Sequence, residues 1–236
     1  MVEMDSLREN YRALVIGASG GIGSAIAEAL ERDPRAGAVV RLSRTDIPDF
    51  DLTDEVSIMR EAGRIAAEGN DLDLIVNATG ALTIGASGPE KALKAIDPDA
   101  MLRQFQLNAI GPALLLKHFS PLMPRDRRSV FASLSARVGS IGDNRLGGWI
   151  SYRAAKAAQN QIIRTAAIEI ARTRPHAIVA ALHPGTVETA LSVGYRGSHA
   201  AVSPAEAAAN LLSVLDSLPP EKTGGFFAYD GSVIEW

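Results

Sequence analysis

The stretch Ala13-Leu-Val-Ile16-Gly17-Ala-Ser-Gly20-Gly21-Ile-Gly23-Ser-Ala-Ile26-Ala-Glu-Ala29-Leu30 decides the fold. Its first four residues are apolar without interruption and run into a cluster of glycines. Apolar residues then recur at Ile22, Ile26, Ala29 and Leu30. The continuous run, 13–16, reads as a strand buried on both faces, and the three-to-four spacing reads as a helix over 23–32. The alternation repeats down the chain. Strands are predicted at 38–42, 72–77, 130–135, 177–182 and 225–229, and helices at 53–68, 99–119, 151–174 and from Pro204 to about Leu218. Asp97-Pro98 and Ser203-Pro204-Ala-Glu206 cap two of these helices, each with proline at the first helical position. Buried strands alternating with helices predict one doubly wound α/β domain over 1–236, its sheet mainly parallel and covered on both faces. Ligands of such sheets bind at the carboxyl ends of the strands.

Composition narrows the function. A chain of 236 residues, 47 % hydrophobic, is long enough for a full core and a ligand cleft. Its 24 Lys and Arg against 27 Asp and Glu leave a net charge of −3, which argues against nucleic acid or a membrane surface as partner. The sequence has no cysteine, which excludes disulfides, thiolate zinc and a cysteine nucleophile, and fits a cytoplasmic location. Residues 1–10 lack an apolar core and do not read as a signal peptide, and no apolar run reaches the ~18 residues of a membrane span. His118, His176, His183 and His199 have no metal-ligand spacing, so no metal is expected. Arg125-Asp-Arg-Arg128 reads as a solvated turn.

Three features carry chemistry. The turn Gly17-Ala-Ser19-Gly20-Gly21-Ile22-Gly23 leads straight into a helix, whose free N–H groups and partial positive charge suit a pyrophosphate. Gly17-Ala-Ser19-Gly-Gly21 also fits the hydrolase nucleophile elbow, but the 16 residues before Gly17 provide only one strand, too few for that architecture. At the end of the second strand an acid would bind the ribose hydroxyls of NAD; here Ser43 and Arg44 stand instead and favour the 2′-phosphate of NADP, with NAD the second choice. Tyr152 and Lys156 lie four apart on one face of a helix. An ammonium about 5 Å from a tyrosine, at an effective dielectric near 20, favours ionisation by about 3 kcal/mol, or roughly two pKa units. The tyrosine then titrates closer to neutrality, as acid–base catalysis requires.

Taken in order, these motifs resemble the short-chain dehydrogenase/reductases over essentially the whole chain. Gly17-x-x-x-Gly21-Ile22-Gly23 is similar to that family's cofactor turn. Asp51-Leu52 matches the pair after its third strand that contacts adenine, and Asn77-Ala78-Thr-Gly80 its Asn-Asn-Ala-Gly, with Ala78 in place of the second asparagine. Asn108, Tyr152 and Lys156 match its catalytic residues. Pro184-Gly185-Thr186-Val187-x-Thr189 resembles the segment that contacts the nicotinamide carboxamide. Ser135 to Asn144, Gly147-Gly-Trp149 and the ending Tyr229-Asp-Gly to Trp236 resemble the C-factor/sniffer-like branch, some members of which have signalling roles.

The resemblance implies a Rossmann-type domain with a seven-stranded sheet, and reduction of a ketone or aldehyde with NADP(H). It also implies a catalytic serine at the end of the fifth strand, usually about a dozen residues before the tyrosine. Ser135 has the right strand position but lies 17 residues upstream of Tyr152; Ser133 lies deeper in the strand, and Ser140, 12 upstream, lies out in the loop. Strand position favours Ser135. In the implied mechanism Ser135 holds the carbonyl oxygen and Tyr152 gives it a proton. Lys156 lowers the tyrosine pKa and binds the nicotinamide ribose. Asn108 anchors a proton-relaying water, for which its helix must relax, and Gly111-Pro112 provides a reason. Trp149, Ile150, Leu82 and the segment 191–197 point to a partly apolar substrate. The alternative is a catalytically idle dinucleotide-binding sensor. In this family the helices at 99–119 and 151–174 often pair across a homodimer or homotetramer, and the loop before Tyr152 is the feature that could obstruct such pairing here.

Overall fold

Side chains alternate across a strand, so a run apolar at every position supplies two cores at once. The computed structural model, which describes residues 2–69, 71–85, 88–192, 194–195 and 201–236, is built this way. In β1 (Tyr11–Ile16), Ala13 and Val15 enter one core and Leu14 and Ile16 the other. β3 (Leu74–Asn77), β4 (Ser129–Leu134) and β5 (Ala177–His183) divide likewise, with Val76, Ala132 and Ala180 on one side and Ile75, Phe131 and Val179 on the other. β2 (Ala36–Leu42) and β6 (Phe226–Ala228) complete a parallel sheet of order β2-β1-β3-β4-β5-β6. α1 (Gly21–Glu31) and α6 (Pro204–Ser217) cover the first core. α2 (Glu55–Ala67), α4 (Gly111–Phe119) and α5 (Ile150–Ala171) cover the second. This is a single Rossmann-like α/β domain. Among the described residues no helix is long and apolar enough to cross a membrane.

Among the described residues the sheet has six strands, where seven were expected. A parallel crossover takes about a dozen residues or more. Only the eight residues 43–50 separate β2 from Asp51. They are folded into a turn instead, with Ile47 N donating to Ser43 O at 2.8 Å. No further strand can pair outside β2 from this segment, so β2 is an edge, and Gly37 and Ala38 within it are exposed.

The helix predicted at 99–119 is interrupted. It opens as α3 (Pro98–Phe105), capped by Asp97, whose side chain accepts from Ala100 N at 2.7 Å. It then widens to a π-turn over Gln106–Ile110 before α4. Pro112 has no N–H to give the Asn108 carbonyl four residues back, and the Gly111 N–H reaches Gln106 O, five back.

Candidate active site

Order β2-β1-β3 makes the carboxyl ends of β1 and β3 the point where the chain changes direction across the sheet, and the crevice opens there. Two glycines shape it. Gly17 has φ +84°, and a Cβ there would sit 3.0 Å from the Ala78 carbonyl carbon. A Cβ on Gly23 would sit 2.2 Å from Gly17 O, so only glycine lets α1 start this close to the strand. The α1 N-terminus has no side-chain cap and no acid in its first turn.

Two cavities lie along this crevice and share Gly20, Ala78, Thr79 and Gly80. The first, about 250 Å³, is also lined by Gly17, Ser19, Ser43, Arg44, Asp51 and Leu52. The second, about 290 Å³, brings Gly21, Ile22 and Gly23 together with Ser135, Tyr152 and Lys156. Pro184, Gly185 and Thr189 close its far side. Thr186 lines a neighbouring cavity of about 300 Å³ with Arg137, His183 and Tyr229. Asn77, Val187 and Asn108 are buried and line neither half of the crevice. Val193, Arg196, Gly197 and His199 lie outside the described residues.

The two serines at the end of β4 have different surroundings. Ser133 Oγ accepts from Asn77 Nδ2 and from Gln159 Nε2, both at 2.8 Å, behind the crevice. Ser135, the first residue past β4, lines the cavity, and its Oγ donates to Asn160 Oδ1 at 2.7 Å. Ser140 is buried, its Oγ accepting from Asp143 N at 3.1 Å. Lys156 Nζ donates to Leu134 O at 3.1 Å and Gln159 Oε1 at 2.8 Å, and lies 5.9 Å from the centroid of the Tyr152 ring. Asn108 is held by Ala81 and Gln104: its Nδ2 donates to Ala81 O at 2.8 Å and Gln104 Oε1 at 2.7 Å, and its Oδ1 accepts from Ala81 N at 3.1 Å. A Cβ on Gly80 would stand 3.1 Å from Asn108 Oδ1 and 3.4 Å from Lys156 Nζ, so both groups border the same glycine.

Burial sets the charge states here. It pushes Tyr152 well above the ordinary tyrosine range and Lys156 down to about 7. The sequence alone led us to expect the lysine to lower the tyrosine. Removal of both groups from water favours their neutral forms and outweighs that attraction. His183 is driven down to about 4 by burial and the Arg137 charge, and among the described residues its Nδ1 has no hydrogen-bond partner.

At the other end of the crevice the Ser43 hydroxyl is engaged. It donates to Asp46 Oδ2 at 2.6 Å and accepts from Thr45 N at 3.2 Å. The neutral contact expected from it is thereby committed to a carboxylate three residues on, which the sequence reading did not weigh. Arg44 is exposed and lines the cavity. Asp51 Oδ1 accepts from Thr53 N and Oγ1, each at 2.8 Å. Leu52 is fixed against Gly111, where a Cβ would meet its Cγ at 2.5 Å.

Sequence reading missed the residues that support these groups. Gln159 links Lys156 to Ser133, and Asn160 receives Ser135. A signal was present: both are polar, one turn beyond Lys156, on the face of α5 that also carries buried Ala155 and Ile163. Thr79, held by Asn77 Oδ1 at 2.6 Å through its hydroxyl, lines both halves of the crevice where Asn77 was expected.

Comparison with known proteins agrees with this architecture. Residues 39–198 match the family model of the short chain dehydrogenases. The 1-hydroxy-2-glutathionyl-2-methyl-3-butene dehydrogenase of Rhodococcus sp. (strain AD45) is 30 % identical over 232 residues, covering 94 % of this chain and 98 % of that one. C-signal of Myxococcus xanthus is 32 % identical over 166 residues, covering 70 % and 93 %. Carbonyl reductase Sniffer of D. melanogaster has the same fold, with TM-score 0.82 at 21 % identity over 97 % of this chain and 100 % of that one. A Burkholderia multivorans protein described as a short-chain dehydrogenase/reductase, with bound NADP, gives TM-score 0.77 at 26 % identity over 96 % and 100 %. Family model and full-length relative together place this chain in the short-chain dehydrogenase/reductase family of oxidoreductases.

Proposed function

We propose that the protein reduces a ketone or aldehyde with NADPH, or runs the reverse oxidation, through Ser135, Tyr152, Lys156 and Asn108. The observation that carries this reading is that Ser135, Tyr152 and Lys156 line one cavity with the glycine turn and Pro184 and Gly185. A dinucleotide fits the residues present: the Gly17 and Gly23 turn admits close backbone approach, the α1 N-terminus is uncapped, and the crevice continues to Asp51 and Leu52. When bound, the nicotinamide supplies the hydride. The rest is the work of the chain. Ser135 turns its hydroxyl from Asn160 to the substrate carbonyl oxygen and holds it beside Tyr152. Tyr152, kept protonated by burial, gives its proton to that oxygen as the C–O bond order falls. Lys156, near neutrality at about 7, is poised to return a proton toward the phenolate. Asn108 holds the relay at Gly80, its carbonyl released by Pro112 for a water.

Arg44 favours NADP through its charge on the 2′-phosphate, and Asp46 opposes it. The NADP bound to the Burkholderia protein supports the same choice. The Rhodococcus relative is named as a dehydrogenase of a hydroxy compound, in keeping with alcohol–carbonyl chemistry. Homodimerisation belongs to this reading too, through the groove of about 690 Å³ that α4 and α5 form with Leu116, Ile162, Ala166 and Ile170. NADPH oxidation against a panel of aldehydes and ketones tests the proposal. Turnover with at least one of them is expected; tight NADPH binding with no turnover on any would identify an idle sensor.

A further inference from the structure

Three segments converge beside Tyr152. Gly147, Gly148 and Trp149 follow one another with φ of +64°, +66° and +53°. The first two are glycines and adopt this freely, whereas a bulky tryptophan there is an outlier that its surroundings must enforce. Two residues enforce it. Arg153, on the first turn of α5, donates to Gly148 O at 3.0 Å and to Val138 O and Gly147 O at 3.2 Å. Glu90, from the loop after β3, accepts the Trp149 N–H on its backbone oxygen at 2.5 Å. Its carboxylate also accepts the Ser151 N–H at 3.2 Å and the Ser151 hydroxyl, and so caps α5 one residue before Tyr152.

The outcome is a fixed ring. Trp149 stands edge-on to Tyr152, with centroids 6.4 Å apart at 68°, and edge-on to Tyr195, 5.7 Å apart at 84°. Tyr195 is itself tied to the loop after β3 by its hydroxyl, 3.1 Å from Thr83 Oγ1. Trp149 is half-buried, and its disfavoured backbone conformation is held by the Arg153 guanidinium on the two preceding carbonyls and by the Glu90 backbone oxygen on its own N–H, while the Glu90 carboxylate fixes Ser151 two residues on.

We propose that Trp149 is the specificity-determining wall of the substrate site, selecting carbonyl compounds that carry an aryl group, and that Glu90 is the positioning residue that holds it beside Tyr152. This rests on the carbonyl-reductase reading above. An aryl substituent meets ready-made edge-to-face partners in Trp149 and Tyr195, which a small alkyl group cannot use; such pairs favour the ring by about two- to tenfold beyond its area burial.

The test uses the two tryptophans of the chain. Trp236, which stacks on Phe226 at 5.5 Å, is replaced by Phe, so that Trp149 alone emits. With NADP bound, 1-phenylethanol is expected to quench that emission at concentrations at least about fivefold lower than 2-propanol. Trp149→Leu, followed by kinetics, is expected to raise KM for benzaldehyde about tenfold and leave propanal within about twofold, with the Kd for NADPH unchanged. Glu90→Ala keeps the backbone acceptor of Trp149 but frees the start of α5 at Ser151, and through that loosening is expected to shift the Trp149 emission maximum and lower kcat/KM for benzaldehyde by about tenfold; Glu90→Gln, which keeps an acceptor for Ser151, restores most of it. Equal losses for aryl and alkyl substrates in Trp149→Leu would overturn the wall. An unchanged emission and rate in Glu90→Ala would overturn the positioning role. Selective quenching by 1-phenylethanol in a wild type that reduces no carbonyl compound would leave the wall standing and refute the reductase reading instead.

Discussion

Replacing Ser133 and Ser135 separately by alanine should damage different properties of the protein. Ser133 Oγ accepts two buried donors. Without it, Asn77 Nδ2 loses its partner, while Gln159 Nε2 keeps Leu134 O at 3.1 Å. An orphaned buried donor costs about 1–3 kcal/mol and a lost neutral hydrogen bond about 1 kcal/mol, so Ser133→Ala should lose about 2–4 kcal/mol. For a chain of this length that is a fall in Tm of roughly 4–16 °C. Ser135→Ala removes one hydrogen bond to Asn160 Oδ1, but at the wall of the cavity, where water can replace the lost donor, so it should cost about 1 kcal/mol, a fall of roughly 2–4 °C. The rates should rank the other way. Loss of a single donor to a developing oxyanion costs about 10²–10³ in kcat. Ser135→Ala should therefore lose that much, and Ser133→Ala far less, through a loosened Lys156 only. Thermal unfolding of the apoprotein and steady-state NADPH oxidation on the same preparations give both rankings. A Ser133→Ala protein that keeps its Tm and loses its activity would refute the assignment of the strand register.

Two further outcomes follow from the charges. Arg44→Ala should weaken NADP by about 10- to 150-fold and leave NAD nearly untouched, the range of one charge-assisted contact, whereas Asp46→Asn should tighten NADP; titration of both cofactors reads this directly. Lys156 has its folded pKa depressed to about 7 from 10.5, so the native state binds fewer protons than the unfolded chain between those values. Apoprotein stability should accordingly rise with pH from about 7 to 10, and Lys156→Met should raise Tm more at pH 6 than at pH 10. An equal gain at both pH values would show that the buried ammonium is not the cause.

The strands were legible because the middle of each is an unbroken apolar run, with polar residues such as Arg12, Arg41 and Asn77 kept to the ends, a pattern that a doubly covered sheet requires. Helix starts were legible where a side chain caps them: Ser203 accepts Glu206 N at 3.1 Å and Asp97 accepts Ala100 N. The relaxation at Asn108 followed from Gly111-Pro112 just after it. What failed was a matter of length and partnership. The expected extra strand was excluded by the shortness of 43–50, which the family resemblance concealed. Local sequence gave no hint that the Ser43 hydroxyl would turn to Asp46, because Asx and serine turns are settled by competition among neighbours. Glu90 and Ser151 are 61 positions apart, and no periodicity connects them. The tyrosine's ionisation was misjudged for a different reason: pair attraction can be worked from spacing, but desolvation depends on burial.

Tyr152 is proposed to deliver the proton that accompanies hydride transfer. Tyr152→Phe removes only that transferable proton from a residue that is already buried. Measured together, NADPH affinity by fluorescence titration and kcat for the best carbonyl substrate decide the matter. A Kd within about threefold of wild type is expected, with a kcat reduced by about 10²–10⁴, the usual contribution of a general acid. A variant that binds NADPH and retains more than about a tenth of the wild-type kcat would contradict it.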